Sequence, residues 1–171
     1  MAHMAVRRTY RRFLGALALA IALSLAPPAS AQQDPEPLLW ATVNVCDTDE
    51  HPDTIGIRGS MPGNGRGSDR MYMRFQVQFQ ASDGTWRPLS SGGLSDWQLV
   101  GRGSWEARQS GYSFRVSPPE GSVRLRGVVR FEWRRRGRVV RREIRATEGR
   151  HRSTAGADPP RYSRGTCTVR A

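Results

Sequence analysis

The chain has 171 residues, and its 27 basic residues, all arginine, outweigh 15 acidic ones to give a net charge of +12. That length suits one domain with extras, and two cysteines without C-x-x-C spacing exclude a zinc knuckle and a dithiol redox motif. The charge is uneven: residues 32–119 hold 8 arginines against 10 acidic residues, and residues 120–171 hold 15 against 5. Such asymmetry marks either a polyanion partner or a solvated basic face.

At the start of the chain, Arg7, Arg8, Arg11 and Arg12 precede an apolar run from Phe13 to Ala26, broken only by Ser24. Pro27-Pro28-Ala29-Ser30-Ala31 then ends in an A-x-A pattern before Gln32. This order predicts a signal-peptide helix within residues 1–31 and export by the general route. The alternative is an uncleaved anchor, although a run of 14 residues falls short of the ~20 that span a bilayer. Residues 32–37 read as a disordered lead-in, and 38–171 as a single domain. With the signal cleaved, no transmembrane span is expected, and the protein is secreted or held in the cell envelope.

Leu38–Val45 is the first predicted strand, followed by a polar loop at 47–52, a short strand at Thr54–Arg58 and a mobile glycine-rich loop at Gly59–Ser68. The clearest pattern is at 71–81. Met71, Met73, Phe75, Val77, Phe79 and Ala81 alternate with Tyr72, Arg74, Gln76, Gln78 and Gln80, which predicts a strand with one buried and one wet face. A two-residue turn on Asp83-Gly84 would set Ala81 opposite Trp86 and bring Trp86 to the core side. Short strands are expected near Trp97–Val100 and Tyr112–Val116.

Residues 122–147 read as a second hairpin. Val123, Leu125, Gly127, Val129, Phe131 and Trp133 line one face, and Arg136-Gly137 forms the turn. A tight register then sets Trp133 opposite Val140, Val129 opposite Ile144 and Gly127 opposite Ala146 on the core side, with ion pairs Glu132–Arg141 and Arg130–Glu143 on the wet side. Arg142 falls on the core side opposite Phe131, its head reaching out to water. Residues 148–161 form a long polar loop, and Tyr162–Arg170 is a final strand.

Cys46 and Cys167 lie near the two ends of the mature chain. In an oxidising compartment an even count reads as a disulfide, and closing so long a loop stabilises by roughly 5 kcal/mol in the chain-entropy account. Two free thiols are the alternative.

Trp40-Ala41-Thr42-Val43-Asn44-Val45-Cys46-Asp47, Asp83-Gly84-Thr85-Trp86 and Arg126-Gly127-Val128-Val129-Arg130-Phe131-Glu132-Trp133 resemble segments of secreted actinobacterial proteins with an immunoglobulin-like domain. The resemblance spans most of residues 38–147. It implies an all-β fold, an antiparallel immunoglobulin-like β-sandwich of about 7–9 strands, and a place outside the cytoplasm. It implies no activity. Two features depart from the immunoglobulin pattern: the cysteines sit at the chain ends, and Gly165 stands where a tyrosine would precede the second cysteine by two.

No catalytic site is expected. A serine hydrolase needs a nucleophile, a base and an orienting acid, yet the mature chain offers only His51 and His151, both in polar loops, and no G-x-S-x-G. Asp47, Asp49, Glu50 and Asp53 are a weak calcium candidate on an acidic loop that lacks the EF-hand pattern. The Gly63–Ser68 segment lacks the lysine of a phosphate loop. No cofactor is expected.

The arginine-rich hairpin remains. Arg124, Arg126, Arg134, Arg135, Arg136, Arg138 and Arg145 have no obvious partners, and clustered guanidinium groups suit phosphate and carboxylate polymers. Because Phe131 and Trp133 point to the core, the aromatic interleaving typical of single-strand nucleic-acid binders is missing from this reading. Three functions are therefore in play. One is a non-catalytic binding or structural module with an unknown extracellular or envelope partner. The second is a polyanion-binding protein for teichoic acid, anionic lipid or extracellular nucleic acid, with nucleic acid least favoured. The third is an extracellular enzyme with an unrecognised site.

Overall fold

Period-two sequence patterns become strands throughout the computed structural model, which describes residues 37–171 other than Trp105, Pro119 and Ser153. The signal-peptide reading of 1–31 and nearly all of the 32–37 lead-in lie outside the described residues. Nine strands follow one another: β1 (Trp40–Cys46), β2 (Thr54–Met61), β3 (Arg66–Gln80), β4 (Trp86–Pro88), β5 (Gln98–Gly103), β6 (Arg108–Arg115), β7 (Ser122–Arg135), β8 (Arg138–Ala146) and β9 (Cys167–Arg170). The all-β expectation holds, with antiparallel pairing between every pair of strands.

The strands form two sheets. The smaller has the order β1-β2-β6. The larger is built on the pair β3-β7, with β4 and β5 sharing the free edge of β3, and β8 and β9 sharing the free edge of β7. Their inner faces meet in one core. Val43, Ile55, Ile57 and Met61 from the smaller sheet join Met71, Met73, Phe75, Val77, Leu125, Val129, Phe131 and Trp133 from the larger, all fully buried. The alternation at 71–77 and 125–133 is therefore the core pattern it predicts. The one polar atom on Trp133 is satisfied, since its Nε1 donates to the Pro62 carbonyl at 3.0 Å. Two glycines let the layers close. A Cβ on Gly59 would crowd Phe131 and Val129, and one on Gly127 would lie 2.7 Å from Ile57.

Both hairpins differ from the sequence reading by one residue, for one physical reason. The β3–β4 connection is a three-residue loop with Gly84 at φ 80°, closed by Ala81 N donating to Thr85 O at 2.8 Å. This is a turn followed by a left-handed glycine, not a two-residue turn. Trp86 consequently pairs with Gln80 and lies on the outer face, where Arg126 covers its ring at 4.6 Å. In β7–β8 the turn at Arg136-Gly137 is as expected, with φ 46° and 81°. Past it, Arg134 pairs with Val139 but Trp133 pairs with Arg141, so Val140 is the extra residue of a bulge. A one-residue shift exchanges the faces. Val140 and Ile144 are thus exposed, Arg142 stands opposite Glu132 on the outer face, and the expected Glu132–Arg141 and Arg130–Glu143 pairs give way to Glu132–Arg142 and Glu143–Arg141.

The glycine-rich segment is shorter than expected. β2 runs through Met61 and β3 starts at Arg66, which leaves 62–65 between them. The last strand begins only at Cys167, while residues 148–152 and 154–164 cross the outer side of β1. Val43 exchanges backbone hydrogen bonds with Arg164 (2.9 and 3.1 Å), and Thr42 and Asn44 bond to Ser163 and Gly156. That covering explains why both faces of β1 are buried. Cys46 and Cys167 form a disulfide with a Cα–Cα distance of 5.4 Å, joining β1 of one sheet to β9 of the other.

Candidate anion-binding face

The outer face of the larger sheet carries the side chains that alternate with the core. Along β3 these are Tyr72, Arg74, Gln76, Gln78 and Gln80; along β7 they are Arg124, Arg126, Val128, Arg130, Glu132 and Arg134. The register sets Arg74 directly opposite Arg130, an arrangement of like charges that costs stability. Arg74 finds a partial outlet by donating from Nε to the Ser95 carbonyl at 2.8 Å. The Nε of Arg130 is buried with no hydrogen-bond partner among the described residues, a costly state for a charged donor.

Glu132 is buried beside this pair, only 2% exposed. Arg134 takes one of its carboxylate oxygens (2.7 Å) and Arg142 the other (2.7 Å), so Glu132 has no free oxygen turned to Arg130. Arg134 also lies over Tyr72, with its Cζ 4.3 Å from the ring centroid, and over Trp97 at 4.7 Å. The rings hold its guanidinium in place by cation–π contact. Together these groups surround an open cleft of about 620 Å³, with Val139 and Ile144 on its rim. Four arginines face one already paired carboxylate. A second cleft of about 370 Å³ shares Arg134 and adds Arg70 and Arg136, carrying the basic surface to the hairpin tip.

The seven arginines singled out from the sequence have different fates. Arg124 reaches Gln80 at 3.3 Å and Arg126 reaches Gln78 at 2.8 Å, the latter with its pKa lowered by burial. Arg134 is on the cleft wall. Arg135 is engaged elsewhere, with its Nε and Nη2 on the two oxygens of buried Asp69 at 2.7 and 3.0 Å. Arg145 pairs with Glu143 at 3.2 Å. Arg136 and Arg138 are exposed at the tip and make no ion pair among the described residues. Arg74, Arg130, Tyr72 and Trp97 were missed. Period two already set Tyr72, Arg74 and Arg130 on outer faces; the missing step was that β3 and β7 are neighbours.

In the acidic loop, Asp47 has a structural role. Asp47 accepts from the Asp53 amide at 2.9 Å and from the Arg170 amide at 3.1 Å, tying the loop to β9. Asp49 and Glu50 are exposed. Among the described residues, the groups gathered closely enough to share an ion are Glu50, His51 and Asp158, within 4.8 Å of one another, and Asp158 also accepts from Thr48. The Gly63–Ser68 segment closes on a carboxylate of its own, with Asn64 donating to Asp69 at 2.8 Å. His151 stacks on Trp40 with ring centroids 4.6 Å apart. No protein-family model matches the chain, and no curated protein shows significant similarity to it.

Proposed function

We propose that the protein is an exported, non-catalytic binding module of immunoglobulin-like β-sandwich type that takes an anionic polymer on the outer face of its larger sheet. The observation that carries this reading is the Arg74–Arg130 pair. Two guanidinium groups oppose each other across β3 and β7, and the buried Arg130 Nε–H lacks an acceptor among the described residues. An anionic oxygen between them offsets the repulsion and supplies that acceptor. The basic surface continuing past Arg134 to Arg70 and Arg136 gives an extended ligand further contacts. Because Arg134 already covers Tyr72 and Trp97, the rings serve to fix guanidinium groups rather than to stack bases, which favours phosphate or carboxylate polymers over single-stranded nucleic acid.

The test is retention on immobilised heparin and binding of long-chain polyphosphate in solution. Arg74→Gln with Arg130→Gln should weaken polyphosphate binding about tenfold or more, since charge-assisted hydrogen bonds are worth about 1.5–3 kcal/mol. Arg136→Glu with Arg138→Glu should have a smaller effect. Equal binding by the parent and the Arg74/Arg130 variant defeats the proposal.

A further inference from the structure

The loop between β8 and β9 forms a further basic cleft, walled by a part of the chain that the outer face of the larger sheet does not use. Its two legs are residues 150–152 and 161–164. The Arg150 amide donates to Ser163 O (3.4 Å) and the His151 amide to Ser163 Oγ (3.0 Å), which ties the legs together. Ser163 Oγ lies 2.8 Å from Thr42 Oγ1, the Val43–Arg164 backbone pair fixes one leg to β1, and the stack of Trp40 on His151 fixes the other. The sheet therefore holds the cleft in place, as a binding site requires.

Arg150, Arg152, Arg161 and Arg164 wall the cleft with Tyr162 among them, around a volume of about 440 Å³, and no carboxylate of the described residues lines it. Arg150 and Arg161 make no ion pair among the described residues. Burial raises the Tyr162 pKa against the opposing pull of Arg164. The backbone adds an independent sign. Arg150 has φ 74° and Arg161 φ 66°, a left-handed conformation that glycine adopts without strain and arginine does not. Gly156 in the same loop has φ 61°. A loop needed only to cover β1 would gain from glycine at all three positions. Strained backbone on charged side chains around a cleft accords with a ligand clamp, and Asp47, Asp53 and Arg136 have the same left-handed conformation elsewhere in the chain.

We infer that this cleft binds a phosphate or sulfate monoester carried on a small organic body. Guanidinium forks match the oxygens of a tetrahedral oxyanion. The volume is that of a small-molecule site and exceeds the needs of a bare ion, and the Tyr162 ring offers an apolar wall for the body.

The experiment is an amide-resolved NMR titration of the full chain with phenyl phosphate, with inorganic phosphate in parallel. Saturable shifts are expected at Ser163 and Arg164, with phenyl phosphate binding more tightly than inorganic phosphate. Arg150→Gly with Arg161→Gly should lower that affinity at least tenfold while the thermal midpoint holds or rises, because glycine relieves the strain. Arg150→Gln with Arg161→Gln, which keeps a polar side chain and the backbone strain but removes the charge, should lose binding equally. Arg74→Gln with Arg130→Gln should leave the Ser163 and Arg164 shifts intact, so this site stands or falls apart from the larger-sheet face. Undiminished phenyl phosphate binding in the glycine and glutamine variants, or no saturable shift at those amides, overturns the inference. Equal affinity for the two phosphates overturns the organic body.

Discussion

Asp69 shows how a single side chain can be legible in type and illegible in role. It is fully buried at the beginning of β3, and three hydrogen bonds, two from Arg135 and one from Asn64, hold its carboxyl down at about 2. The same contact raises the Arg135 pKa. An unfolded aspartate titrates near ~3.9. The stabilisation is therefore fully present above about pH 4 and is lost as pH falls through about 2. Chemical denaturation followed from pH 5 to pH 2 should show stability falling most steeply below pH 4. Asp69→Asn should be less stable at pH 7 and should flatten that fall; the same pH slope in both proteins would show that the Arg135 fork is not its source. From the sequence Arg135 looked unpartnered because Asp69 lies 66 positions away, and nothing local joins a lone aspartate in a glycine-rich stretch to a distant hairpin. Arg130 failed to stand out for the same reason. Its period-two position was readable, but its lack of an acceptor among the described residues is a property of the neighbours that β3 brings.

Strand faces were readable where hydrophobic alternation decides them, as along Met71–Val77 and Leu125–Trp133, because burying the wrong face of such a strand is prohibitive. Registers at the two hairpins were not. Each depends on one left-handed glycine or one extra residue, Gly84 in the first and Val140 in the second, and the alternation of each separate strand survives either register. β8 gives the test. Its apolar residues Val139, Val140 and Ile144 are 43%, 46% and 51% exposed, so Val140→Thr and Ile144→Thr should each change stability by within about 0.5 kcal/mol. Phe131→Ala, on the strand beside it, should cost about 3–5 kcal/mol. Urea denaturation of the three variants separates the two registers, since a tight two-residue hairpin would make Val140 and Ile144 core residues with losses well above 1 kcal/mol.

For the molecule as a whole, the all-β class and the end-to-end disulfide were legible: the class from short alternating segments and turn residues, the bond from an even count near the two ends. The division into sheets was not, because it depends on β3 and β7 pairing at the centre of the larger sheet. Nor did the polarity of 148–161 distinguish a solvent loop from one that seals the outer side of β1. The disulfide is the prediction at this scale. Intact protein should have a mass two hydrogens below that of the reduced form, and Cys46→Ser with Cys167→Ser should cost about 2–5 kcal/mol by urea denaturation. Free thiols detected in protein isolated without reductant would count against the bond.

The bond's position has a mechanical corollary. Cys46 ends β1 and Cys167 begins β9, 121 positions apart. Tension applied across the two ends of the domain passes from one cysteine to the other through a covalent link. The hydrogen bonds of β2–β8 lie outside that path. Pulled from its ends, the domain should lengthen only by the short segments beyond the cysteines, and the extension of everything between them should await a reductant.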